Sequence, residues 1–255
     1  MSNTDRVDKE MFDKGGHYLG KPADIHDKLI HRRIALTKAV PNFVGKDLDL
    51  VEIGFGNGAT LILLADSMKS CLGLDINNDH EAEFNTLKTQ HTANNCRFEV
   101  CDVEQEEIEH QFDRMISFEV IEHLQDDQHV SRYYDLLKPG GLAVFSVPNK
   151  WWIFETHGAK LPLLPWNRVP FFSWLPKPIH ERYANARIYT KTRILKLLKA
   201  AQFEIIDSQY ITAPLDVLKD GAVKRFFTQN VFKHDTTTNP VLSTSIFVVV
   251  RKPLS

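Results

Sequence analysis

The sequence predicts an α/β protein organised around a doubly wound, mostly parallel sheet. Three observations carry the prediction. Short apolar runs alternate with helical segments from residue 48 to residue 148. The first run ends in a glycine-rich turn, GFGNGA at 54–59, of the kind that joins a buried strand to a helix. The chain has 255 residues, 43% apolar and 25% charged, which suits one large folded domain with a sizeable core.

The polar start reads as an arm. Residues 24–40 space Ile25, Leu29, Ile30, Ala35, Leu36 and Val40 at helical intervals, and Pro41 ends the run. LDLVEI (48–53) is a buried strand, TLILLADSM (60–68) a helix, CLGLDI (71–76) a strand and EAEFNTLKTQ (81–90) a helix. CRFEVCDV (96–103) and QFDRMISFEV (111–120) supply two more strands, followed by a helix across 122–137, a glycine turn in LKPGG, and LAVFSVP (142–148). Residues 190–200 form a further helix. FEIIDSQYI (203–211) and TSIFVVVRK (244–252) are consecutive late strands, which permits an antiparallel edge.

Residues 1–44 are therefore taken as an arm and covering helix, and 45–255 as the main domain. Two elaborations interrupt that domain. Residues 148–189 hold six of the twelve prolines and all four tryptophans, and 212–243 hold a basic patch at Lys219, Lys224 and Arg225. The proline-stiffened aromatic stretch 161–178 is open to three readings: a substrate lid, a peripheral membrane contact or a dimer contact.

With 31 Lys+Arg against 33 Asp+Glu the net charge is −2, too little positive charge for nonspecific nucleic-acid binding. Three cysteines supply neither a disulfide framework nor a four-thiolate zinc site. The start MSNTDRVDKE lacks a secretory pattern, and no run approaches the roughly 20 apolar residues of a membrane span. A cytoplasmic protein, with peripheral membrane contact left open, is the expectation.

The glycine turn is the sharpest signal. Gly54, Gly56 and Gly58 permit the turn and leave room for close approach of a ligand to the backbone. No Gly-Lys-Ser/Thr follows, which counts against a phosphate-loop NTPase, while a dinucleotide remains compatible with the glycines alone. Asp75, at the end of the second strand, is placed to accept both hydroxyls of a ribose. Asp102 could receive an adenine amino group between the apolar faces of Ile76 and Val103, and Glu52 could hold an ammonium or orient the glycine loop.

VEIGFGNG, GLDI, CDV, FDRMISFEVIEHL and LLKPGGLAVFSVPN, in that order, resemble the motifs of class I S-adenosylmethionine-dependent methyltransferases. The resemblance covers about residues 45–150 well and 180–210 loosely. It implies a Rossmann-like seven-stranded sheet whose last strand runs antiparallel between its neighbours, with S-adenosyl-L-methionine as cofactor. The donor set it implies is Glu52, Gly54, Gly56, Gly58, Asp75, Ile76, Asp102, Val103, Phe118 and Glu119.

EVIEHL is similar to a segment of quinone-pathway O-methyltransferases and to the metal-binding segment of small-RNA 2′-O-methyltransferases. On a helix, Glu119, Glu122 and His123 would share one face and could hold a divalent ion, although metal-free relatives share the segment. Alternatively, Glu119 and His123 line the cleft and Glu122 stabilises the helix start. An oxygen acceptor needs a base within reach. His157, oriented by Glu155, is the leading candidate, with His123 also in range; His180 and Glu181 make a second pair. Arg32 or Arg33 could meet the donor carboxylate, with Tyr18 and His26 as cover.

The expectation is transfer of a methyl group to oxygen of a small, partly apolar acceptor, with nucleic acid unfavoured. N-methylation, an NAD-dependent dehydrogenase and a non-catalytic cofactor-binding module stand as alternatives.

Overall fold

A computed structural model describes residues 24–159, 170–215 and 221–254. Tyr18, Trp166, Arg168 and Lys219, with most of the N-terminal arm and part of the aromatic stretch, lie outside the described residues.

The elements follow the periodicity closely. Helix α1 (Lys28–Ala39) is capped by the Asp27 carboxylate, which accepts the Leu29 N–H at 2.7 Å. Strand β1 (Gly45–Ile53) leads into α2 (Ala59–Ala65), β2 (Met68–Asp75) into α3 (Glu81–Gln90), and β3 (Cys96–Val100) precedes β4 (Phe112–Phe118). Then come α4 (Val130–Asp135), β5 (Leu137–Pro148), α5 (Lys177–Tyr183), α6 (Lys191–Ala200), β6 (Glu204–Thr212), α7 (Ala222–Asn230), β7 (Thr236–Thr237) and β8 (Ser243–Arg251).

The strand order is β3-β2-β1-β4-β5-β8-β6-β7. Pairings among β3, β2, β1, β4 and β5 are parallel, while β8 runs antiparallel to both β5 and β6. The expected inserted antiparallel strand is thus present. The sheet has eight strands rather than seven, because Thr236–Thr237 adds a two-residue edge against Tyr210 and Ile211.

Alternation along β1 divides the core. Leu50 belongs to the cluster under α1, α2 and α3, whereas Val51 and Ile53 belong to the cluster under α4 and α6. A smaller cluster of Trp152, Ala213, Leu215 and Phe232 fastens the two elaborations to each other.

The helix expected across 122–137 does not form as one unit. Glu119 leaves β4 with φ +59°, and two 3-10 turns (Ile121–His123, Asp127–His129) precede the short α4. Glu119, Glu122 and His123 therefore do not share a helical face. No helix among the described residues is long and apolar enough to cross a membrane.

Candidate active site

The C-terminal ends of β1, β2 and β4 open into a cavity of about 520 Å³, where an open α/β sheet places its ligand. Glu52, Gly54, Gly56, Asp75, Ile76, Asp102, Val103, Phe118 and Glu119 line it. So do His123, Glu155 and His157. Gly58 and Glu122 stand behind that wall.

The glycine turn owes its composition to two different demands. Gly54 has φ +72°, and a Cβ there would lie 2.2 Å from Val120. Gly56 has φ +54°, but a Cβ would meet nothing within 4 Å, because the space in front of it is the cavity. Its N–H donates to Asp75 Oδ2 at 2.8 Å, tying loop to second strand. Burial raises the Asp75 carboxyl above its ordinary range, against backbone N–H groups of Gly56, Ile76 and Asn77.

Glu52 is only 4% exposed, and burial pushes its carboxyl well above the usual range. Thr60 and the Leu61 backbone hydrogen-bond to it, yet Oε2 has no partner. A buried acceptor without a donor, beside an open glycine, suits a ligand carrying N–H or O–H groups. Asp102 is more committed to its own turn, accepting from the Glu104 N–H at 2.9 Å and the Gln105 side chain at 2.7 Å. Ile76 is half exposed and Val103 buried, so the two apolar faces expected for a base lie at the rim and inside it.

The other end of the cavity is acidic and imidazole-rich. Arg33, from the buried side of α1, reaches Glu119 Oε1 at 2.7 Å, and Ser146 Oγ donates to the same oxygen at 3.0 Å. The two arginines of α1 therefore part company. Arg32 is spent on Asp235 and on the carbonyls of Thr212 and Phe232, away from the cavity, while Arg33 lies over Phe118 with 5.6 Å between guanidinium and ring centre.

Around His157 the expected partners are exchanged. Its ring does not meet the Glu155 carboxylate, which takes only the His157 backbone N–H at 3.1 Å. Glu155 instead binds His180 Nε2 at 2.8 Å and the Ser173 hydroxyl at 3.1 Å, with both Glu155 and His180 buried. The second expected pair is likewise divided, since Glu181 binds Arg193 at 2.8 Å. The His157 ring faces Glu122 Oε1 at 3.3 Å and Glu119 Oε2 at 4.0 Å, and its Nδ1 lies 2.9 Å from the Thr156 hydroxyl.

Buried Glu122 is pushed up to about 7 by desolvation, then by the charge of Glu119, against the pull of His157. Desolvation lowers His157, but the bond and charge of Glu122 outweigh it and leave the imidazole above its ordinary value. Desolvation, with the charges of His157 and Arg187, holds His123 well below its ordinary value, hence neutral. Ligand atoms of Glu122, His123 and His157 lie within 4.8 Å of one another. The cluster expected from a helix is thus present in altered membership, with His157 in place of Glu119 and Glu119 just outside.

This arrangement can hold a nucleoside with an amino-acid tail at one end and move a proton at the other. The methyltransferase-domain family matches residues 25–208. The chain belongs to that family. Its fold is that of class I S-adenosylmethionine-dependent methyltransferases, and S-adenosylmethionine is the cofactor that the Glu52–Gly56–Asp75 side of the cavity fits.

The chain is 30% identical over 185 residues to a probable S-adenosylmethionine-dependent methyltransferase of Mycolicibacterium smegmatis, covering 69% of this chain and 61% of that protein. It is 30% identical over 174 residues to a ubiquinone biosynthesis O-methyltransferase of Dinoroseobacter shibae, covering 64% and 63% respectively. The chain thus spans about three-fifths of the length of the curated relatives it matches. A crystal structure of an S-adenosylmethionine-dependent methyltransferase from Mesorhizobium loti superposes with a TM-score of 0.60 at 17% identity, over 89% of this chain and 100% of that one.

Arg33 is the residue whose pairing sequence reasoning missed. The signal was there: Ile30, Arg33, Ile34 and Thr37 fall on one face of α1, which places a cation among inward positions. The approach of His157 to Glu122 had no such signal, since it depends on how the loop after β5 folds back.

Proposed function

We propose that this chain transfers the methyl group of S-adenosylmethionine to an oxygen of a small, partly apolar acceptor. The observation that carries the oxygen reading is the His157–Glu122 pair, a part-buried imidazole on the cavity wall backed by a buried carboxylate behind it. A hydroxyl acceptor must lose a proton as it is methylated, and an imidazole stabilised as a cation by a carboxylate is suited to take it. The ubiquinone O-methyltransferase relative supports the same reading.

When bound, the cofactor supplies a methyl group already activated on a sulfonium sulfur. On this reading Glu52 accepts from the amino-acid end, Asp75 takes the ribose hydroxyls, and Gly56 lets the backbone approach. Ile76 and Val103 flank the base, with Asp102 as acceptor for its amino group. Phe118 and the Arg33–Glu119 pair form the floor beside the acceptor. His157 receives the acceptor proton, Glu122 offsets the charge that forms, and Glu155, held by His180, fixes the backbone of His157. Membership of the methyltransferase-domain family decides the glycine loop against the dehydrogenase alternative.

The test is His157→Ala assayed with labelled donor against an acceptor panel. Loss of turnover by about 100-fold or more, with donor affinity unchanged, is expected of a base. Undiminished turnover, or transfer confined to amines, would remove the oxygen reading, and donor binding without any turnover of the wild type would favour the non-catalytic module.

A second reading of the same residues is favoured by the grouping of Glu122, His123 and His157. One carboxylate and two imidazoles suit a transition ion such as Mn²⁺, Fe²⁺ or Zn²⁺ better than Mg²⁺, and neither oxygen of Glu122 accepts a well-aligned hydrogen bond. Those three residues, with Glu119 beside them, would hold the ion, which would favour the deprotonated form of an acceptor hydroxyl. Turnover unchanged in protein shown by elemental analysis to be metal-free would eliminate this second reading.

A further inference from the structure

The cavity runs along one edge of the sheet, and strand order sorts its walls. Asp75, Glu52 with Gly56, and Phe118 with Glu119 stand at the ends of β2, β1 and β4. Beyond β4 the order continues β5-β8-β6, and β8 is antiparallel, so its first residues return to the same edge. Trp152 and Phe154 after β5, Thr244 and Ser245 on β8, and Pro214 after β6 line that stretch. On the transfer reading the donor extends as far as β4, which leaves the stretch past it for the acceptor. Two strand spacings separate β5 from β6, about 10 Å, enough for a ring or a short chain.

Among the described residues, Trp152 closes this far end. It lines the cavity while only 4% exposed, so the ring is built into the wall rather than laid over it. The indole packs edge-on against Phe154 and Phe232, with ring centres 5.8 Å and 6.5 Å away. It also clusters with Ala213 and Leu215, the residues on either side of Pro214. Its backbone is held at both ends: the N–H donates to the Asn149 carbonyl at 3.2 Å, and the carbonyl accepts from the Trp174 indole at 3.2 Å. A ring fixed on so many sides does not swing away from a longer guest.

The backing of that ring carries strain. Leu215 is buried with φ +60°, a left-handed conformation that a leucine rarely adopts. The bend sits where the leucine side chain enters the cluster behind Trp152. Strain of this kind persists where the surroundings over-determine it, and it concentrates at sites that position a ligand.

We propose that Trp152 is the specificity-determining residue of the acceptor site, an end stop that limits the length of the acceptor's apolar part. The class it admits is a hydroxylated ring or short chain with a short apolar substituent, because a long aliphatic tail directed past β5 meets the indole. The inference rests on the transfer reading for placing the acceptor beyond β4, and not on which atom is methylated.

The experiment is a calorimetric titration of the full chain, saturated with S-adenosylhomocysteine, with 4-alkylphenols from methyl to decyl. In wild type, affinity should rise about fourfold per methylene and then fall once the chain reaches the indole. Trp152→Ala should keep wild-type S-adenosylhomocysteine affinity and move that limit several carbons longer. Trp152→Phe, which opens a smaller space and spares the fold, should move it by less. Circular dichroism identifies folded variants, and the phenylalanine variant decides the matter if the alanine variant is unfolded. A limit unchanged in the folded variants, an equal loss of affinity at every chain length, a wild-type affinity that climbs through decyl, or no binding of the series to loaded wild type would overturn the proposal. Labelled S-adenosylmethionine with the same phenols tests the transfer reading separately: a limit that moves with Trp152 while no methylated product forms would uphold the end stop and count against oxygen transfer.

Discussion

At Gly56 a side chain is excluded by what must lie in front of it; at Gly58, by what lies behind. A Cβ on Gly56 projects into the open cavity, whereas one on Gly58 would come within 2.4 Å of Phe55 and 2.7 Å of Phe84. The two positions should therefore fail differently. Gly56→Val is expected to keep the fold and weaken S-adenosylhomocysteine binding by about tenfold or more, from left-handed strain of about 1–2 kcal/mol and occupied space. Calorimetric titration checks this, and an unchanged dissociation constant would refute it. Gly58→Ala should lower stability by about 1–3 kcal/mol through overpacking, read from urea unfolding. From the sequence the three glycines looked alike, because spacing identifies the turn and not which neighbour fills each gap. The placement of Glu52 and Asp75 at the cavity was legible for the opposite reason: alternation along a buried strand sets where the residues at its C-terminal end point.

At the level of elements, the buried Glu155–His180 pair is one of the ties that fasten the loop after β5. Burial would raise the Glu155 carboxyl, but the hydrogen bond and charge of His180 hold it below its ordinary value. The bond joins that loop to α5, and the other carboxylate oxygen carries the His157 backbone. His180→Ala leaves a carboxylate that is 2% exposed without its imidazole partner, which should cost about 3 kcal/mol. Adding Glu155→Gln to the same chain should recover part of that loss in urea unfolding, and strictly additive losses would show that the two do not act as a pair. Motif order made the strands and the first three helices readable, since each has a clean period. The region after β4 was not, because Glu119 turns the chain left-handed and breaks the helix that the charge spacing implied. Aromatic residues in the first elaboration resisted reading because lid, membrane and dimer surfaces draw on the same side chains.

Across the whole molecule, charge is segregated although the total is near zero. Asp27, Glu52, Asp75, Asp102, Glu104, Glu119 and Glu155 line the cavity, where Arg33 is the one Lys or Arg among the described lining residues. Such a wall suits a cationic donor and strains the ligand-free protein. Glu122 behind it has a folded value of about 7 against an ordinary 4.5, so the native state keeps a proton that the unfolded chain releases. Its stabilising contribution is complete below about pH 4.5 and lost as pH rises through about 7, on the order of 3 kcal/mol in all. His157, raised from 6.5, loses its contribution in the same direction above that pH, whereas the lowered His123 acts oppositely and only below 6.5. Between pH 6.5 and 8 the first two act unopposed by the third, and ligand-free stability should fall by about 1 kcal/mol or more. Glu122→Gln removes the carboxylate contribution, so the variant should gain on wild type steadily from pH 5 to 8 in urea unfolding. Parallel curves for the two proteins would mean that Glu122 is ionised throughout, and would leave His157 facing a permanent anion. Saturating S-adenosylmethionine at 100 times its dissociation constant should add about 2.7 kcal/mol at either pH, which separates strain in the empty cavity from damage to the fold.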